Sequence, residues 1–189
     1  MRRYRSQGQT INNFFTLVTI IVMSIVLTIY VKYVPKPPRV HSDLACQKES
    51  YTFDRIYNQE LLDEANKLLN HGAYILDGGL IKPRFGKSYL KDEINIKQSD
   101  EYFQQAIIKS SSVKNYFVKI KYEIVENDKN DPRKKDDSCK LHAGSLMTSF
   151  RINEKEVFRM HTDFLKYDKN DIKERINCTL KAFRHNANK

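Results

Sequence analysis

Residues 11–31 read INNFFTLVTIIVMSIVLTIYV, twenty-one positions without a charged side chain. At about 1.5 Å per residue, a helix of this length crosses a hydrocarbon core of about 30 Å. Its β-branched content is no obstacle, because lipid offers the backbone no outside partner and a helix bonds its groups internally. A buried core helix is one competing reading, but it needs protein around every face, and only about 150 residues follow. A cleaved signal peptide is another, since MRRYR is suitably basic. The apolar run, however, exceeds the roughly 7–15 residues of a signal core, and no small-x-small site follows it. Tyr30, Lys32, Tyr33 and Val34 stand where cleavage would fall. The stretch therefore reads as an uncleaved anchor over residues 11–34, behind a basic cytoplasmic tail of residues 1–10. Tyr30 and Tyr33 belong to the interfacial belt, with Lys32 snorkelling beside them.

Charge on the two sides of the anchor is nearly balanced: Arg2, Arg3 and Arg5 precede it, and Lys32, Lys36 and Arg39 follow. The positive-inside rule favours a cytoplasmic tail only by the added amino terminus. The cysteines tip the orientation. Cys46, Cys139 and Cys178 all lie beyond the anchor, widely spaced and without a CxxC or Cys/His ligand series. That usage fits an oxidising compartment and places the C-terminal domain outside the cytoplasm. The formal net charge of +10 is concentrated near the membrane. Residues 1–39 carry six bases and no acid, which leaves 27 bases against 23 acids for the rest. Anionic headgroups explain the flanking excess, so membrane lipid is a partner. A nucleic-acid-binding domain would carry its excess in the folded part, so nucleic acid is not expected as a partner.

Pro35, Pro37 and Pro38 end the anchor and make residues 35–45 an extended stalk. Residues 46–189 then suffice for one hydrophobic core. Phe53–Leu69 shows helical spacing of Ile56, Leu61, Leu62, Ala65, Leu68 and Leu69, with Asn70-His71-Gly72 as its stop. Ala73–Ile81 reads as two short strands about Asp77-Gly78-Gly79, or as one strand with a bulge. Ser99–Ile108 reads as a helix capped by Ser99. Asn115–Val125 alternates as a strand, with Tyr116, Val118, Ile120, Tyr122 and Ile124 on the core side. Glu126–Ser138 reads as a solvated charged loop. Leu141–Arg151 and Glu156–Leu165 form a hairpin, Asp168–Glu174 a helical turn, and Ile176–Phe183 a last strand. The expected fold is α+β: one transmembrane helix, then a mostly antiparallel sheet with about two helices.

No HExxH, GxSxG, Walker loop or GxGxxG occurs. Cys139 and His142 lack the further ligands that zinc requires, so no metal or cofactor is expected and His142 reads as a strand surface residue. Sortases are also small, anchored and β-rich, and His161, Cys178 and Arg184 follow their order of catalytic types. Arg175-Ile176-Asn177, however, stands where sortases carry TLxT. Type IV pilins share Phe15-Thr16-Leu17, but Phe14 replaces their glycine and Thr19 their glutamate. A disulfide is the simpler use of Cys178. Cys46–Cys178 closes a loop of about 130 residues, worth up to about 4–5 kcal/mol in the chain-entropy model. Cys139–Cys178 is the alternative pairing.

A tail of about ten residues carries no enzymology, and the domain lacks a recognisable catalytic set. With the Phe14–Val31 anchor, Cys46 soon after it and Cys178 close to the end, the chain resembles in layout the ToxS-like and FidL-like inner-membrane proteins of Gram-negative bacteria. That resemblance implies a periplasmic accessory domain, not an enzyme. Such a domain supports a membrane-bound, ToxR-like transcriptional regulator of virulence or fimbrial genes. The extra Cys139 and the long 126–138 segment depart from the pattern. A structural component of an envelope secretion, pilus or division complex is the second expectation. Phe117 and Val125, on the charged side of their strand, are the candidate partner contacts.

Overall fold

The computed structural model describes residues 4–33, 44–107, 117–134 and 140–188; within the first of these, side chains are described for residues 12–29. The chain divides into two compact units, residues 1–37 and 38–189.

The first unit contains α1 (Tyr4–Tyr33), which begins ahead of the expected anchor. Its segment Asn12–Ile29 has a mean hydropathy of 2.0 and is exposed throughout, so it is no core helix. It is the one helix among the described residues long and apolar enough to cross a membrane. Thr16, Thr19, Ser24 and Thr28 donate their hydroxyls to the carbonyls of Asn12, Phe15, Ile20 and Ser24, at 2.7–2.9 Å. The four hydroxyl groups of the Asn12–Ile29 segment are therefore satisfied within the helix, as an apolar solvent requires. The flanking Arg2, Arg3, Lys36 and Arg39, and the side chains of Arg5, Tyr30, Lys32 and Tyr33, lie outside the described residues. So do Cys139, Tyr116, Val34 and residues 35–43 of the expected 35–45 stalk, whose last residue, Ala45, instead begins a helix.

The second unit is α+β. After a short α2 (Ala45–Lys48) come β1 (Thr52–Ile56), α3 (Gln59–Asn70), β2 (Tyr74–Ile81), α4 (Ile96–Ala106), β3 (Val118–Glu126), β4 (Gly144–Ile152), β5 (Lys155–Phe164) and α5 (Lys169–Ala187). The sheet order is β1-β5-β4-β3-β2. Three pairings are antiparallel, and only β2–β3, joined across α4, is parallel. The β4–β5 hairpin turns on Asn153 and Glu154, whose φ of 47° and 63° fit the two-residue turn that matches strand twist.

Three sequence readings require correction. Ile176–Phe183 is not a strand; it lies inside α5, a nineteen-residue helix. Its residues imitate strand alternation because the helix is buried on most sides: Ile176, Cys178, Thr179, Leu180, Ala182 and Phe183 are all buried. The deeper pattern is Ile172, Ile176, Thr179, Phe183 and Ala187, which is helical, behind an Asp168 side chain that accepts from Asn170 N. Phe53–Leu69 is likewise split. Asn58 caps α3 by accepting from Leu61 N at 2.9 Å, so Thr52–Ile56 is released to pair with β5. The α4 cap is Asn95, three residues ahead of the first turn's Gln98, and not Ser99, which is buried within the helix. Ala73–Ile81 resolves into the single strand β2.

The helices cover one face of the sheet. Phe150 stacks on Phe183 with ring centroids 4.1 Å apart, and Phe158 meets the same ring edge-on at 5.8 Å. Phe103 lies 4.6 Å from the Tyr122 ring. Tyr122 passes over Gly78, where a Cβ would stand 2.4 Å from its ring, and its hydroxyl donates to Asp100 at 2.6 Å. The chain entry is tied to the chain end: Cys46 of α2 is bonded to Cys178 of α5. Arg175, one turn before Cys178, donates to the Cys46 carbonyl, Ser50 Oγ, Glu49 and Asp171 at 3.0–3.2 Å.

Candidate interaction surface

Strand alternation sends every second residue to the face that no described helix covers. The register sets these residues in four rows running from β2 to β5 and, in two rows, on to β1. Ile75, Lys119, Arg151 and Glu156 form the first, and Asp77, Lys121, Ser149, Arg159 and Arg55 the second. Gly79, Glu123, Met147, His161 and Phe53 form the third, and Ile81, Val125, Ser145 and Asp163 the fourth. One half of the face is thus basic, and the other carries Met147, Phe53, Val125 and Ile81.

Each of these three ion pairs on this face has at least one solvent-exposed partner. Lys119 lies 3.4 Å from Asp77, Lys121 3.5 Å from Glu123, and Arg159 2.7 Å from Glu156. The hydrogen bond to Glu156, with the charge of that carboxylate, raises the Arg159 guanidinium above its ordinary pKa. The two lysine pairs, open to solvent, contribute little to folding. Arg151 donates to the carbonyl of Glu154 at 2.7 Å, and no carboxylate is bonded to it among the described contacts. Between these side chains runs a shallow groove of about 200 Å³, lined by Lys121, Glu123, Met147, Ser149, Arg151 and Arg159.

Val125 is half-buried on this face, between Ile81 and Ser145. Phe117 is half-buried one residue before β3. The two therefore mark opposite ends of one strand and do not form a single patch. Met147, Arg151 and Arg159 belong to the same surface and are not among the sequence candidates. The legible signal was the hairpin's own alternation: once Leu146 and Phe150 face the core, Met147 and Arg151 face away.

The other sequence candidates fall elsewhere. His142 stands in the loop before β4, with Nδ1 3.9 Å from Asp163, and not on a strand. Cys178 is in the disulfide, so its sulfur is not a thiolate beside His161 and Arg184. Among the described residues, no three His, Cys, Asp or Glu side chains converge as metal ligands. The expected 126–138 loop is only partly solvated. Glu126 ends β3 and is buried, accepting from Ser88 Oγ and Tyr89 N, both at 2.6 Å. Asp128 holds Arg84 N and Phe85 N at 2.7 and 2.6 Å. Lys134 donates to Asn127. The Glu126 and Asp128 bonds fix the segment after β2 against the end of β3.

No family model, curated protein or solved structure matches this chain.

Proposed function

We propose that the chain is a membrane-anchored accessory protein whose C-terminal domain lies in the periplasm. There it binds and stabilises a membrane-bound transcriptional regulator of the ToxR-like type. The observation that carries the reading is a sheet with helices on one face and, among the described residues, no helix on the other. The other face has a basic half, a row with Val125 and Ile81, and a groove lined by Lys121, Met147, Ser149, Arg151 and Arg159. A polar rim with a few apolar anchors is the composition of a protein contact surface. The Cys46–Cys178 disulfide supports an oxidising compartment, and the layout resemblance supports a regulator as the partner. Two proteins anchored in one membrane meet at high effective concentration, so a modest interface suffices.

The test is a Lys121→Glu, Met147→Asp double variant of the full chain. Both side chains are exposed, so the domain's stability should change by less than about 0.5 kcal/mol per site. Regulator level and target-gene transcription should fall as they do on deletion of the chain. Unchanged transcription in both strains removes the co-regulator reading and moves the envelope-component reading to first place. Compartment is checked separately: alkaline phosphatase fused after Lys189 should be active and green fluorescent protein dark, and the reverse pattern overturns the periplasmic assignment.

A further inference from the structure

Natural sheets guard their edges with prolines, lysines, bulges or brevity, because an unguarded edge pairs with other strands. Here β2 is eight residues long and reads YILDGGLI, with one charge and neither proline nor lysine. Among the described residues β3 is its only neighbouring strand. The ladder with β3 fixes which backbone groups point outward. Val118 N donates to Ala73 O, so Ala73 and every second residue after it face β3. In a parallel pair, Tyr74, Leu76, Gly78 and Leu80 then direct their N–H and C=O to the open edge. On that edge Ile75 and Ile81 are exposed, at 36% and 46%. Leu76 and Leu80 point to the core yet are only partly buried.

We infer that the outer edge of β2 pairs antiparallel with β2 of a second copy of this chain, about a two-fold axis through Gly78. The sequence of the strand is self-complementary in this register. Residues with outward backbone groups meet one another: Gly78 faces Gly78, and Leu76 faces Leu80. On the open face Ile75 meets Ile81, and Asp77 meets Gly79. Shifting the pairing by two positions places Asp77 against Asp77 in one direction, a like-charge contact that destabilises a sheet. Shifting it the other way brings Gly79 against Gly79 and leaves Ile75 unpaired. Gly79 itself points to the same conclusion. A Cβ there would find only ordinary contact, 3.6 Å from Glu123, so the domain's own packing does not demand a glycine. Its bare Cα instead leaves Asp77 of the second copy room to keep its pair with Lys119. The paired sheet carries the basic and apolar rows of both copies on one continuous face. This assembly does not depend on the regulator reading.

The experiment uses the full chain in native membranes, with Cys139→Ser to remove the third cysteine and the Cys46–Cys178 bridge kept. Ile75→Cys and Ile81→Cys copies carrying different tags are co-expressed and oxidised. In the inferred register these positions form a non-hydrogen-bonded pair with Cα atoms about 4.5 Å apart, within disulfide reach. Two copies of Ile75→Cys alone place their introduced thiols about 20 Å apart, six residues along the strand at roughly 3.4 Å each. The expected result is a 75–81 crosslink at least tenfold stronger than the 75–75 crosslink. Equal yields, no crosslink, or crosslinking of the Ile75→Cys chain to a different protein overturns the inference. An Ile75→Lys, Ile81→Lys chain should retain its melting temperature and lose at least nine-tenths of the dimer seen by lysine-independent photocrosslinking. A dimer that survives both substitutions also overturns it.

Discussion

Strand β3 has two faces made from alternate residues of one segment, and they differ in almost every physical respect. Val118, Ile120, Tyr122 and Ile124 are at most 2% exposed and are packed by helices. Lys119, Glu123 and Val125 on the other face are only partly covered, and Lys121 is exposed. The first set is constrained by volume and hydrogen bonding, so its residues report how the domain folds. The second set is free of those constraints and mixes charge with apolar groups. The same contrast separates adjacent glycines: Gly78 is required by the Tyr122 ring above it, whereas Gly79 looks out over the uncovered face.

The largest effect should come from the covered face. Phe183→Ala removes the ring that stacks on Phe150 and meets Phe158. Denaturant unfolding should show a loss of about 3–5 kcal/mol. A loss below about 1 kcal/mol would mean that the helix layer is not held by this cluster.

Next is the covalent tie between chain entry and α5. Cys178→Ser opens a disulfide spanning 132 residues and leaves a buried position unpaired. The domain should lose about 2–5 kcal/mol, and reducing agent should lower the wild-type melting temperature similarly while leaving the variant unchanged. Non-reducing peptide mapping should recover Cys46 joined to Cys178.

The adjacent glycines sharpen the comparison at the scale of one methyl group. Gly78→Ala places a Cβ 2.4 Å from the Tyr122 ring and should cost about 1–3 kcal/mol. Gly79→Ala meets nothing closer than 3.6 Å and should stay within about 0.5 kcal/mol of wild type. Equal costs would refute the assignment of the two residues to opposite faces.

At neutral pH Tyr122→Phe, which removes the hydroxyl bond to Asp100, should cost about 1–2 kcal/mol, less than the ring and disulfide losses. Its pH dependence is the stronger signature. Burial, reinforced by the bond to Asp100 and its charge, raises the Tyr122 phenol well above its ordinary value of 10.0. Folding thus favours the protonated phenol. Its contribution is complete below about pH 10, where the unfolded chain also keeps the proton, and is lost as pH rises beyond that. Wild-type stability should fall on that alkaline side more steeply than that of the phenylalanine variant.

Much of this arrangement is legible in local sequence. The charge-free run in α1, the alternation of β3, the Gly72 stop of α3 and the Asn153-Glu154 turn each depend on residues within a few positions of one another. So does the chain's α+β class. The misreadings of α5 and β1 share one cause: local periodicity is ambiguous where an element is buried on several sides. In α5, Ile176, Cys178, Leu180 and Ala182 are all buried, and they imitate a strand's alternation. Only the packing of α3, α4, β4 and β5 around it shows that a helix fills the space. Likewise, Phe53 and Ile56 extend the helical spacing of α3, and pairing with β5 decides that they belong to β1.

Local sequence is enough for the helix long and apolar enough to cross a membrane, the core side of β3, the hairpin and the set of cysteines from which a bridge is drawn. Each follows from hydrophobic spacing or residue chemistry along a short stretch. Long-range packing settles that Cys46 pairs with Cys178, that β2 has β3 as its only described neighbouring strand, and that Lys121, Met147, Ser149 and Arg159 share one groove. Those outcomes depend on which distant segments become neighbours, and strand order and register are set by the closing of the whole core.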